Sequence, residues 1–235
     1  GTVQGALETL HLPYSGSGVL GSALAMDKRR SKQLWFGQGL PTAPFEELSE
    51  DSDWDGVIER LGRVFVKPVG EGSSIGMAPA ATAAELAEAW RGARAHGTGV
   101  IAERFIDGPE YTVAILGGQA LPSIRVAAAD GFYDYTAKYV ADDTTYDIPS
   151  GLSAGDEAAL GELSLAAFRG LDCRAWGRID VMRDPVHGFQ LLEANTIPGM
   201  TDHSLVPMAA RAAGLSLEDL VTRIIDESLR AWGGR

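Results

Sequence analysis

The 235-residue sequence reads as an α+β chain with antiparallel strand pairing. Three observations carry that reading. Two runs of strand periodicity, 178–182 and 189–195, flank a turn signal at Asp184, Pro185 and Gly188, the pattern of a β-hairpin. Two further strand-like runs, 100–106 and 110–116, are separated only by Asp107, Gly108 and Pro109. Around these strands lie stretches of helical periodicity at 22–37, 82–95, 154–171 and 216–229.

The hairpin is the chemical centre of the sequence. Alternation puts Arg178, Asp180 and Met182 on one pleat face, with Ile179 and Val181 behind. In the second strand Leu191, Glu193 and Asn195 share a face, with Leu192 and Ala194 behind. If Asp180 faces Glu193, then Arg178 faces Asn195. Two carboxylates set opposite each other repel. A divalent cation between them removes the conflict, because Mg²⁺ takes one or two carboxylates and completes its shell with water and phosphate oxygens. A half-exposed hairpin with a solvated polar face is the other reading of the same pattern.

Composition bounds the rest. With 45% hydrophobic residues the chain can bury a core and hold one or two domains. Twenty Lys plus Arg against 32 Asp plus Glu give a net charge of -12, which argues against a nucleic-acid partner. The single cysteine, Cys173, excludes an intrachain disulfide, fits a reducing compartment, and sits in apolar surroundings that suggest a packed thiol. No apolar run approaches the ~20 residues of a membrane span. A cytoplasmic protein with no membrane partner is expected.

In chain order, 1–21 combines a short helical pattern (Val3, Leu7, Leu10) with a turn at Tyr14-Ser-Gly-Ser-Gly. The segment 22–37 reads as one helix whose cationic run Lys28, Arg29, Arg30 and Lys32 would by default be a solvated face. A stiff connector, 40–44, leads to an acidic surface stretch, 46–55. The run 64–68 is a strand ending in Lys67-Pro68, followed by a flexible loop, 69–76, whose glycines and serines suit a phosphate or merely a hairpin tip. The lysine precedes the loop, the reverse of a P-loop. Glu103 and Glu110 interrupt apolar surroundings, and 121–126 is a further strand. The polar stretch 130–151 has the length of a lid, with Lys138 and Tyr139 placed to reach a phosphate and a small substrate. Helices at 82–95 and 154–171 are packing elements. The helix starting near Ser204 offers free N–H groups to an anion, or an ordinary N-cap serine. His203 reads as structural. Ser216-Leu-Glu-Asp resembles a capping box before a last core helix with Leu217, Leu220, Val221, Ile224, Ile225 and Leu229.

Gly-Arg-Ile-Asp-Val-Met at 177–182, followed by Leu-Leu-Glu-Ala-Asn-Thr-Ile-Pro-Gly-Met-Thr at 191–201, resembles the metal hairpin of ATP-grasp ligases, most of all the D-alanine–D-alanine ligases. The likeness extends over nearly the whole chain. It implies two α+β lobes holding a nucleotide between antiparallel sheets, with 1–27 as the remnant of an N-terminal substrate domain, 28–102 as a central lobe and 103–235 as a C-terminal lobe. It implies ATP as co-substrate and two Mg²⁺ or Mn²⁺ ions held by Asp180, Glu193 and Asn195. Lys28, Lys67 and Lys138 would meet phosphates, and Ser73, Ser74 and Ile75 would fold over the nucleotide. The linker Glu103, Arg104, Phe105 and Ile106 would meet adenine, Glu110 the ribose, and Asn195 the nucleotide as well as metal. Arg178 and the Gly199 N–H would stabilise an oxyanion, and Ser73 and Tyr139 would orient loop and substrate. Ser204 and Leu205 would bind the carboxylate of the second D-alanine.

The implied activity joins two D-alanines through an acyl phosphate for peptidoglycan synthesis, in a homodimer. A D-lactate or D-serine acceptor and a non-catalytic ATP-binding module stand as alternatives, and the Lys138-Tyr139 pair favours the dipeptide. Val69-Gly70, Ile197 and Asp202 depart from the family's usual residues. The glutamate and histidine that the family places in its N-terminal domain have no counterpart here. A piece of a longer ligase is therefore expected, binding nucleotide in part and catalysing poorly unless the missing region is supplied.

Overall fold

The computed structural model describes residues 1–72, 75–97, 99–127 and 145–233. The candidate residues Ser73, Ser74, Lys138 and Tyr139 lie outside them.

The chain opens with helices α1 (Thr2–Thr9), α2 (Val19–Met26) and α3 (Lys28–Gly37). The single helix expected over 22–37 is thus broken in two. Asp27 causes the break: its backbone is extended, and its carboxylate caps the second helix by accepting from the Arg30 N–H at 2.9 Å. Lys28 thereby becomes the first residue of α3.

A first sheet follows, from β1 (Phe45–Leu48), α4 (Trp54–Leu61), β2 (Val64–Pro68), β3 (Ala78–Ala80), α5 (Ala83–Arg94) and β4 (Val100–Arg104). Among the described residues its order is β1-β4-β2-β3, antiparallel throughout. β1 overlaps the stretch read as acidic surface. Val64, Val66, Val100 and Ala102 bury one face of the sheet against Val57 of α4 and Leu86, Ala89 and Ala93 of α5.

The second sheet contains β5 (Glu110–Leu116), β6 (Gln119–Ala120), β7 (Ile124–Ala127), β8 (Thr145–Asp147), β9 (Trp176–Asp184) and β10 (Gly188–Asn195). Among the described residues its order is β10-β9-β5-β7-β8, with β6 paired to β5. Helix α6 (Ala154–Gly170) covers one face together with α3. There Val113, Ile115, Ile179, Val181 and Leu191 meet Trp35, Leu160 and Phe168, and the Trp35 indole donates to the Ala167 carbonyl at 3.0 Å. Helices α7 (Leu205–Ala212) and α8 (Leu217–Gly233) cover part of the other face, over Ala114, Leu116 and Trp176.

α3 packs on β10 and α6, and β4 of the first sheet runs through Arg104. The last helix is only half core: Leu220 and Ile224 are buried, while Leu217, Val221, Ile225 and Leu229 are 41–52% exposed. Its capping box forms as expected, with Ser216 N–H donating to Asp219 and Asp219 N–H returning to the serine hydroxyl, both at 3.1 Å. Among the described residues no helix is long and apolar enough to cross a membrane.

The two sheets meet at a turn after β4, where Gly108 lies so close to β9 that an added Cβ would come within 2.0 Å of the Arg183 carbonyl oxygen. Backbone cannot yield as a flexible side chain can. Gly108→Ala is therefore expected to cost about 1–3 kcal/mol of stability, read as a lower urea midpoint at unchanged m-value.

Candidate active site

The hairpin register follows from its turn and one irregularity. Asp184 Oδ1 accepts from the Val186 and His187 N–H groups, each at 2.8 Å, and Gly188 has φ +71. From there Gln190 pairs with Met182 and Leu191 with Val181. The register then shifts at Leu192, so that Glu193 pairs with Asp180 and Asn195 with Arg178. Leu191 therefore does not share a face with Glu193, as strict alternation implied. It is fully buried on the apolar face. The extra residue is what brings Glu193 back to the Asp180 side, since uninterrupted pairing would have set it opposite Ile179.

One face of the second sheet consequently changes character along its length. Ala114, Leu116 and Trp176 lie under α7 and α8. Further along the same face come Arg178, Asp180, Glu193 and Asn195, joined by Thr112 and Glu110 of β5, since Thr112 pairs with Asp180 and Glu110 with Met182.

Both carboxylates are paired with cations of the protein. Arg178 donates from Nε and Nη2 to the two Asp180 oxygens at 2.8 and 2.7 Å, and Thr112 donates to Asp180 Oδ1 at 2.7 Å. Burial opposes the Arg178 charge, but Asp180, with Glu193 and Glu110 farther off, raises its pKa well above the ordinary guanidinium value. Lys28 Nζ lies 3.1 Å from Glu193 Oε2 and also donates to the Glu71 carbonyl. A cation in the first turn of α3 is disfavoured by the helix dipole, and Glu193 supplies the compensating charge.

Lys28, Arg178, Glu193, Asn195, Gly199, Ser204 and Leu205 line one cleft of about 430 Å³, with Glu71, Tyr146 and His203 also on its wall. His203 is exposed there, not built into the turn. Ser204 makes no side-chain cap bond to its helix. Its hydroxyl accepts from the Thr201 N–H at 3.0 Å and lies 2.9 Å from the Thr201 hydroxyl. An added Cβ on Gly199 would fall 2.7 Å from that oxygen, so a side chain is excluded unless the serine turns.

The remaining candidates gather at the junction of the sheets. Glu103 is 2% exposed and accepts from Lys67 Nζ at 2.8 Å. Lys32 Nζ stands 3.1 Å from its other oxygen. Of the cationic run read as solvated, Lys28 and Lys32 are therefore buried, because carboxylates wait for them inside. Burial opposes ionisation of Glu103, yet the two lysines hold its carboxyl below the usual range. Its contribution to stability is fully present above the unfolded value, about pH 4.3, and is lost as pH falls through the lower folded value. Glu103→Gln should accordingly flatten the acid limb of a stability–pH curve.

Phe105 carries the Arg63 guanidinium 3.8 Å from its centroid and packs edge-to-face with Phe65, their centroids 6.4 Å apart. Ile106 is buried, and Arg104 contacts His187 at the hairpin tip at 3.2 Å. Ile75 is 37% exposed in the glycine loop. Cys173 is a packed thiol, with burial pushing it up to about 12.

Sequence reading missed Thr112, Lys32 and Thr42. Thr112 could have been found, as it sits two residues from Glu110 on one strand face. Nothing local marks Lys32 as buried.

Among the described residues no group of three His, Cys, Asp or Glu side chains forms a metal cluster. The donor set of two carboxylates plus the Asn195 amide, whose oxygen accepts from the Ile197 N–H at 3.1 Å, is all hard oxygen, and suits Mg²⁺ or Mn²⁺ completed by substrate oxygens.

Two lobes built on antiparallel sheets, with buried lysines at their junction and a carboxylate-bearing hairpin, make this an ATP-grasp fold. The family model described as the D-ala D-ala ligase C-terminus matches residues 34–226. The D-alanine–D-alanine ligase of Stutzerimonas stutzeri is 53% identical over 232 residues, covering 98% of this chain and 74% of that protein. The one from Halorhodospira halophila is 54% identical over 231 residues, covering 98% and 75%. The ATP-complexed ligase of Bacillus anthracis superposes with a TM-score of 0.87 at 33% identity, covering 100% of this chain and 76% of that one. The chain belongs to the D-alanine–D-alanine ligase family.

Proposed function

We propose that this chain binds ATP and carries most of the site that ligates two D-alanines to D-alanyl-D-alanine for peptidoglycan synthesis. The observation that carries the reading is Asp180 set opposite Glu193 on one strand face, each held by a cation facing the same cleft. Relatives above 50% identity bear the name D-alanine–D-alanine ligase, which supports D-alanine as acceptor over D-lactate or D-serine.

In this reading Lys28 and Lys67 bind phosphates, Glu103 to Ile106 the adenine, and Glu110 the ribose. Ser73, Ser74, Ile75 and Lys138 complete the phosphate side, and Tyr139 meets substrate. Asp180, Glu193 and Asn195 hold two Mg²⁺ or Mn²⁺ ions. When bound, the metals neutralise charge on the phosphate oxygens during transfer. A carboxylate oxygen of the first D-alanine takes the γ-phosphoryl group and ADP leaves. The amine of the second D-alanine then attacks the acyl carbon and phosphate leaves. Arg178 and the Gly199 N–H stabilise the oxyanion of that step, and Ser204 with Leu205 hold the second carboxylate. ATP use supports a cytoplasmic site of action, and a homodimer is carried over from the resemblance.

The test has two arms. Calorimetry with ADP and Mg²⁺ should show binding to the chain itself. A fusion supplying the unmatched quarter of the Stutzerimonas stutzeri ligase should release phosphate from ATP only when D-alanine is present, with D-alanyl-D-alanine as product. No ADP binding, or product from D-lactate or D-serine in preference to D-alanine, would overturn the reading.

A further inference from the structure

The Lys32 amine is fully buried, one helical turn beyond Lys28, at the junction of the two sheets. It stands 3.1 Å from Glu103 Oε1 and donates to the Thr42 hydroxyl, which in turn donates to the Leu191 carbonyl at 2.9 Å, next to the hairpin bulge. The Phe45 ring lies 5.5 Å from its Nζ. Glu103 shares its second oxygen with Lys67 at 2.8 Å. Of the three side chains Lys67 is the most exposed, at 10% against 0% for Lys32 and 3% for Glu103.

Burial lowers the Lys32 pKa and the Glu103 carboxylate beside it opposes that; with both lysines protonated the cluster holds two cations and one anion, a net positive charge. A neutral Lys67–Glu103 pair would be a poor phosphate site, since drawing Lys67 toward a ligand would strip a buried carboxylate of its partner. With Lys32 in place Glu103 keeps a counter-charge when Lys67 moves. We propose that Lys32 is a positioning residue that neutralises Glu103 and so frees Lys67 to bind a nucleotide phosphate. The inference rests on the nucleotide reading above and adds a residue that touches neither ATP nor metal. Its side chain also ties the nucleotide junction to the strand bearing Glu193, through Thr42.

The test compares Mg²⁺-dependent binding of ADP with binding of adenosine, which has no phosphate, by displacement of a fluorescent nucleotide. Lys32→Met keeps the side-chain bulk and removes the charge. It should weaken ADP by roughly 10–100-fold, the size of effect seen when an outer partner of a ligand-binding group is lost, while adenosine changes less than about threefold. In a Lys67→Met background the same change should add nothing for ADP. Equal losses for ADP and adenosine, an undiminished effect without Lys67, or no effect at all would overturn the role.

If Lys32→Met does not fold, the comparison moves to Glu103→Gln with and without Lys32→Met. No carboxylate then remains to neutralise, and ADP binding should differ by less than about threefold. A tenfold or larger loss there would show that Lys32 acts otherwise. Failure of the unaltered chain to bind ADP would defeat the nucleotide reading and this role with it. Binding by the unaltered chain and Lys32→Met alike defeats only the role.

Discussion

Glu193→Gln should weaken ADP binding in the presence of Mn²⁺ by about 100-fold or more, at least the loss expected from disturbing a metal ligand's outer partner, while metal-free binding of adenosine stays within a few-fold. The carboxylate does two things in this structure. It faces Asp180 across β9 and β10, and it holds Lys28 at 3.1 Å. An amide of the same shape keeps the packing and removes the charge that both a divalent cation and Lys28 need. Titration of free Mn²⁺ by electron paramagnetic resonance separates the two consequences, because it counts bound metal independently of turnover. A variant that binds Mn²⁺·ADP as the unaltered chain does would remove Glu193 from the metal site.

Arg178→Met has the second large effect, and its size depends on metal. Without metal the change leaves Asp180, 3% exposed, with Thr112 as its remaining hydrogen-bond donor among the contacts described. Breaking a buried ion pair from one side costs about 3–5 kcal/mol, so the variant should melt well below the unaltered chain. Mg²⁺ offers Asp180 a replacement counter-charge. Adding Mg²⁺ with ADP should therefore raise the melting temperature more in Arg178→Met than in the unaltered chain, by mass action on the folded state. The fused enzyme carrying the change should also lose roughly 10²–10³ in turnover, the scale of losing one oxyanion donor. Equal metal-induced shifts in both proteins would mean that Arg178 and the metal do not compete for Asp180.

Much of the site was legible because its residues sit on strands. Period-2 alternation placed Arg178 and Asp180 together, but it left the facing of Asp180 and Glu193 as a condition, since the register running from the turn at Asp184 and Gly188 would by itself set Glu193 opposite Ile179. Alternation alone could not reveal the bulge at Leu192, which depends on Leu191 seeking the core and on Thr42 binding its carbonyl. Long-range pairing hid the rest. Lys28 and Lys32 lie in a run that reads as a solvated helix face, and only the approach of Glu193 and Glu103 from distant strands makes their burial tolerable. The break at Asp27 was readable in principle, since Asp is a strong N-cap, but the helical pattern on either side concealed it.

The fold's division shows the same limit. Where one sheet ends and the next begins follows from which helix covers which face, and Trp35 carries α3 to α6 through a contact 132 residues away in sequence.

A crystal of the chain grown with ADP and Mn²⁺, with anomalous scattering recorded at the manganese edge, tests the central claim most directly. Manganese should lie about 2.0–2.3 Å from carboxylate oxygens of both Asp180 and Glu193, with Lys28 and Arg178 turned from those carboxylates toward phosphate. Manganese elsewhere, or both ion pairs intact beside bound nucleotide, would contradict it.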